Sequence, residues 1–181
     1  MGKVVIGIPV KNSGRWLPKF FKAFDKLTYP KEDMRVVFIV GESTDNTLEL
    51  IQIFKEQSGV RVNVYKEQSN NDMRIGGIQL GAEVYKDFQH LMEDDDDYWM
   101  LMDCDLVDFP EDLIQQLIDV DADIVAPYPW SENHRHFYDN FIFRVDNFRF
   151  SPQHPPGEGQ KHPVIVDSVG TCFLTKKEVF V

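Results

Sequence analysis

Three short runs of β-branched and aromatic residues constrain this chain most: "KVVIGIPV" (3–10), "MRVVFIV" (34–40) and "YWMLM" (98–102). They are nearly continuous in apolar character, which predicts strands buried on both faces. Helical periodicity separates them. In "RWLPKFFKAFDKL" (15–27), Trp16, Phe20, Phe21, Phe24 and Leu27 recur at helical spacing, and Pro18 suits a first turn. "GESTDNTLELIQIFKEQSG" offers Ser43 or Asp45 as a cap before Leu48, Ile51 and Phe54. "VRVNVYKEQ" (60–68) reads as a more exposed strand, and "PEDLIQQLIDV" as a helix entered at Pro110. Strand alternating with helix predicts a mainly parallel sheet flanked by helices.

Ligands of such sheets bind beyond the carboxyl ends of the strands. Three loops occupy those ends: Pro9 to Gly14, Gly41 to Asp45, and Asp103 to Asp105. A further helical pattern covers "SNNDMRIGGIQLGAEVYKDF", weakened by Gly76 and Gly77, and a strand is expected within 122–130. From Tyr128 to Lys161 the periodicity fades into a long loop with a short strand near Phe141 to Val145. Order returns in "HPVIVDSVGTCFLTKKEVF". The chain stops in what reads as the first turn of another helix, so truncation from a longer protein is expected.

With 181 residues, 43 % of them apolar, one core is expected. The division is into a part carrying the three strand-end loops, 1–130, and a long loop with its closing segment, 131–181. A formal charge of −11 argues against nucleic acid as a partner but not against a small phosphorylated ligand. No segment approaches the roughly 20 apolar residues of a membrane span, and none resembles a signal peptide, so a cytoplasmic location is expected. The acidic run Glu93 to Asp97 reads as a solvated loop. Two cysteines, Cys104 and Cys172, sit in apolar surroundings and predict core packing rather than a disulfide.

At the exit of the third run, "DCD" sets Asp103 and Asp105 on either side of Cys104. Strand alternation aims both carboxylates one way and the cysteine the other. Two such carboxylates repel unless a cation lies between them, and hard oxygen ligands suit Mg²⁺ or Mn²⁺. Asp121 and Asp123 repeat the spacing, at the end of a helix. The histidines His134, His136, His154 and His162 lack a structural-zinc spacing.

"IGIPVKNSGRWLPKFFKAFDKLTYP", "VGESTDNTLELI" and "YWMLMDCDLVDFPEDLIQQLI" resemble, in order and spacing, the N-terminal half of GT-A fold glycosyltransferases. The nearest types are the family-2 enzymes and the Anp1-like mannosyltransferases, whose metal motif is Asp-x-Asp. "VDSVGTCFLTKKEVF" is similar to the segment that closes their donor site. The resemblance implies a single Rossmann-like GT-A domain that binds a nucleoside-diphosphate sugar. Pro9, Lys11 and Asn12 match the first donor-side loop, and Glu42 and Asp45 the second. Val40 and Gly41 stand where family-2 enzymes carry two acidic residues, so the resemblance does not fix the base. Arg74 matches a basic residue facing the donor; Asp103 and Asp105 match the metal motif, Asp105 being the stronger direct ligand.

The implied reaction moves the sugar from its nucleoside diphosphate to a glycan or other hydroxyl acceptor, with Asp167 and Asp139 as candidate bases. The stereochemical outcome stays open, because the two related families differ in it. Two rivals remain: a nucleotide-sugar or glycan-binding module without turnover, and a nucleotidyltransferase, for which Gly14, Arg15 and Lys19 make a poor phosphate loop.

Overall fold

The computed structural model describes residues 1–66, 90–130, 163 and 165–180, with the backbone of 144–145 and 148–149. In chain order the elements are β1 (Val4–Val10), α1 (Leu17–Phe24), β2 (Met34–Val40), α2 (Thr47–Gln57), β3 (Arg61–Lys66) and β4 (Tyr98–Met102). There follow α3 (Leu113–Asp119), β5 (Ile124–Val125), β6 (Arg144–Val145), β7 (Phe148–Arg149) and β8 (Cys172–Lys176). The main sheet has six strands in the order β3-β2-β1-β4-β8-β5. β1 to β4 run parallel, and β8 runs antiparallel between β4 and β5. β6 and β7 form a separate antiparallel pair, within the segment expected to be a loop with one short strand.

Register explains the core. Val4, Ile6, Ile8 and Val10 lie beside Met34, Val36, Phe38 and Val40, and Ile6 and Met100 also pair. All of these share one cluster with Leu17, Phe20 and Phe24 of α1, Ile51 and Phe54 of α2, and Leu113, Ile114 and Leu117 of α3. The three described helices therefore cover the same face. Phe21 stacks on Phe54 at 4.3 Å, and both rings meet Phe38 edge-on, which locks α1 and α2 onto β2. The opposite face holds a smaller cluster of Val5, Val37, Ile39, Trp99 and Phe173.

Helix α1 is shorter than its periodicity predicts, and Trp16 precedes it instead of joining the buried stripe. Pro110 likewise stays outside α3, its carbonyl accepting from Leu113 N. The helical pattern of 69–88 and the four loop histidines lie outside the described residues. Asp121 adopts φ +54° just after α3 and pairs with Lys176, which gives the second Asp-x-Asp a structural role.

The acidic run is a solvated loop only in part: Asp94, Asp95 and Asp97 are exposed, but Asp96 is not. Asp96 is buried and bonded to the buried Arg35 of β2, while it also accepts from Glu93 N at 2.7 Å. Glu93 takes a two-pronged bond from Arg61 of β3, at 2.6 and 2.7 Å. Lys3 pairs with Asp95, and Lys177 donates to the carbonyls of Glu93 and Asp94 at 2.9 and 2.6 Å. The run ties together the amino ends of β1, β2 and β3. Hydrogen bonds from Arg61 and Lys3 hold the Glu93 and Asp95 carboxyls below their ordinary range.

A carboxyl lowered in the folded state contributes stability above its unfolded pKa and loses it as pH falls through the folded value. Melting temperature is therefore expected to hold between pH 7 and 5 and to fall below about pH 4, where free carboxylates titrate. A melting temperature at pH 3 equal to that at pH 7 would contradict this.

Candidate functional site

The carboxyl ends of β1, β2 and β4 lie side by side, and the chain enters antiparallel β8 at the same end. Backbone bonds join these ends: Gly41 N donates to Val10 O at 2.9 Å, and Asp103 N to Thr171 O at 3.0 Å. Thr171 is a buried β-branched residue at φ +59°, a conformation such residues rarely adopt.

The loop after β1 is built on that after β2. Asn12, at φ +49°, places its side-chain oxygen to accept from Thr44 N at 2.8 Å and donates its own N–H to Ser43 Oγ at 3.0 Å. Asparagine tolerates this left-handed conformation better than most residues. Ser13 N donates to Thr47 Oγ1 at 2.8 Å. Asp45 accepts from Gly14 N at 2.8 Å with one oxygen and from Thr47 N at 3.1 Å with the other. The hydroxyl of Thr47 also donates to it, and this bond leads in holding the Asp45 carboxyl below its ordinary range. A Cβ on Gly14 would sit 2.0 Å from Asn46 Oδ1 and 2.9 Å from Asp45 Oδ2, so glycine permits the close approach.

Beside these loops opens a cleft of about 270 Å³. The β1 side contributes Pro9, Lys11, Asn12, Ser13, Arg15 and Trp16; the β4 side contributes Asp103, Cys104 and Asp105. Five residues singled out in the sequence, Pro9, Lys11, Asn12, Asp103 and Asp105, thus meet in one place. Glu42 and Asp45 stand in the adjoining loop, with Asp45 bonded to the cleft wall through Gly14. Asp167 is exposed, on the segment leading to β8, and does not line the cleft. Arg74 and Asp139 lie outside the described residues.

Arg15, weighed in the sequence only as part of a poor phosphate loop, and Trp16, which helical periodicity assigns to α1, also line the cleft. Trp16 N and Leu17 N both donate to Ser13 O, at 2.9 and 3.1 Å, and this tight turn carries the two residues to the cleft before the helix starts. Cys104 belongs to the core cluster, and burial pushes its thiol up, so it stays protonated at neutral pH. Cys172 is shifted the same way by burial.

The aspartate pair supplies hard oxygen donors at the exit of a buried strand. Among the described residues no group of three or more His, Cys, Asp or Glu is placed to hold a metal, here or elsewhere. That donor set fits Mg²⁺ or Mn²⁺ of the kind held by one or two carboxylates and completed by substrate phosphates, rather than a metal caged by protein.

A mixed, mostly parallel sheet in this order, flanked by helices, is consistent with a GT-A-like fold. Residues 1–151 match the sequence profile of the glycosyltransferase family 25 N-terminal domain, and the chain belongs to that family. It is similar to procollagen galactosyltransferase 1 of Danio rerio, 27 % identical over 154 residues, covering 77 % of this chain and 25 % of the relative. The ANP1 subunit of the mannan polymerase II complex of Saccharomyces cerevisiae is 22 % identical over 157 residues, covering 71 % of this chain and 30 % of the relative. This chain thus spans between a quarter and a third of the length of these relatives.

Among solved structures, S. aureus TarS matches with a TM-score of 0.57 at 17 % identity, over 77 % of this chain and 24 % of that one. The 4-diphosphocytidyl-2C-methyl-D-erythritol synthase of Anaerococcus prevotii matches with 0.56 at 11 % identity, over 98 % of this chain and 73 % of that one. These two likenesses show the fold alone and do not separate one chemistry from another. The family match is what distinguishes them. No helix among the described residues is long and apolar enough to cross a membrane.

Proposed function

We propose that this chain is the donor-binding part of a metal-assisted glycosyltransferase, which moves a sugar from a nucleoside diphosphate to an acceptor hydroxyl. The observation carrying this reading is that Asp103 and Asp105 leave β4 into the same cleft that Lys11 enters from β1. Asp105 and Lys11 make no ion pair with each other or with any other described residue. Charges of both signs left unspent in one cleft suit a ligand that brings a cation and phosphates together.

In this reading Asp103 and Asp105 hold Mg²⁺ or Mn²⁺, which when bound neutralises charge on the departing diphosphate. Lys11 adds positive charge from the β1 side. Asn12 and Asp45 keep the two loops in register, so that Pro9 and Glu42 border the nucleoside. The acceptor oxygen bonds to the anomeric carbon as the carbon–oxygen bond to diphosphate breaks. The acceptor's proton passes to a carboxylate, for which Asp167 and Asp139 are the candidates. Reading 1–130 as the donor part and 131–181 as the acceptor side follows the same division.

Calorimetric titration with UDP-glucose, UDP-galactose, UDP-GlcNAc, GDP-mannose and a dTDP-sugar, in Mn²⁺ and again in chelator, tests the proposal. Binding of one member only with metal is the expected result. Binding of none, with circular dichroism showing the fold intact, would sink it. Release of nucleoside diphosphate that rises with added acceptor separates a transferase from a module that only binds.

A further inference from the structure

We infer that Arg15 is a phosphate-binding residue of this cleft, one that grips the diphosphate of the donor from the β1 side. The inference rests on the donor-site reading above. Three arginines have described side chains. Arg35 and Arg61 are both paired with acidic residues, Asp96 and Glu93, whereas Arg15 forms no ion pair or hydrogen bond with a described residue. The contrast is informative in a chain with 30 acidic residues, and more so in a cleft that Arg15 shares with Asp103 and Asp105.

Among the described residues it meets an aromatic face: the guanidinium carbon lies 4.6 Å from the centroid of the Trp16 ring. Such a contact holds the planar group in place through the cation–π attraction and leaves its N–H donors unused. A planar fork of this kind matches two oxygens of one phosphate, which a lysine cannot do. The turn closed by Ser13 O fixes where both residues stand, so the guanidinium is positioned before any ligand arrives. The pair of aspartates and a bound cation together carry no net charge. The remaining charge of a diphosphate then needs cations from the protein, and the two described ones lining this cleft are Arg15 and Lys11.

The probe is inorganic pyrophosphate titrated with Mn²⁺ into the chain, the Arg15→Gln and Arg15→Lys variants, and Asp105→Asn. Arg15→Gln is expected to weaken binding about 10- to 100-fold, the range for losing a charge-assisted hydrogen bond, and to flatten its salt dependence. Arg15→Lys is expected to recover the salt dependence but only part of the affinity. All three variants should melt with the wild type, because a residue serving the fold alone would move stability and leave affinity unchanged. If Asp105→Asn weakens binding and Arg15→Gln does not, the inference is overturned while the donor-site reading stands. If pyrophosphate with Mn²⁺ does not bind the wild type, the inference is overturned, and the donor-site reading is decided by the nucleotide-sugar titration.

Discussion

Asp105→Asn is expected to weaken metal-dependent binding of the nucleotide sugar by two orders of magnitude or more. Even residues that merely orient a metal ligand are worth about 10- to 100-fold, and a direct ligand should exceed them. Asparagine keeps the shape of the side chain and removes the charge that a hard cation needs. Asp105 is exposed and makes no hydrogen bond or ion pair with a described residue, so stability should stay within about 0.5 kcal/mol of wild type. The decisive comparison is affinity in Mn²⁺ against affinity in chelator, for both proteins. Equal affinities for wild type and variant in Mn²⁺ would remove Asp105 from the metal site. A loss of melting temperature would instead make it structural.

At the other end of the sheet, Asp96→Ala is expected to cost about 3 kcal/mol, the low end of the range for breaking a buried ion pair, because Glu93 Oε1 still lies 4.0 Å from Arg35 Nε. Asp96 is 4 % exposed and Arg35 6 %, so little water can replace the lost carboxylate. The Arg35 Nη2 bond to Leu91 O, at 3.1 Å, satisfies one donor but neutralises nothing. Because a domain is stable by only about 5–15 kcal/mol, this one change should take a large share of the total. Urea unfolding of the single variants and of Arg35→Met with Asp96→Leu measures it. The double variant is expected to recover much of the loss, since apolar groups that fill the volume of a buried pair are often as stable as the pair. A single-variant cost below about 1 kcal/mol would mean the pair is more hydrated than its burial indicates.

The strands were legible because each is a local pattern. "MRVVFIV" and "YWMLM" coincide with β2 and β4, since no polar residue other than Arg35 interrupts either run. The same local logic placed Cys104 in the core beside Asp103 and Asp105, and the order of motifs led to the GT-A glycosyltransferases through their family-2 and Anp1-like members, whereas the profile that matches is that of family 25. The use of each charged residue was less legible. Asp45 reads equally well as a helix cap and as a ligand contact, and its bond to Gly14 crosses 31 positions. Trp16 fits the helical stripe by spacing, yet the turn at Ser13 lifts it and Arg15 away from that stripe. The acidic run looks like solvent-facing charge, although Asp96 meets Arg35 from 61 positions away.

Sequence by itself thus determined the alternation of strand and helix, the residues that must be buried, and the acidic pair at the end of β4. These depend on side-chain period and on the cost of exposing apolar surface, both of which act over a few residues. Only the tertiary structure decided which charges neutralise one another and which are left for a ligand. The strand order β3-β2-β1-β4-β8-β5 brings Glu93 and Asp96 to Arg61 and Arg35 at one end of the sheet. At the other end it gathers Asp105, Lys11 and Arg15 in one cleft without pairing them. Electrostatic interactions depend on distance through space and on burial, and neither is encoded in the spacing of residues along the chain.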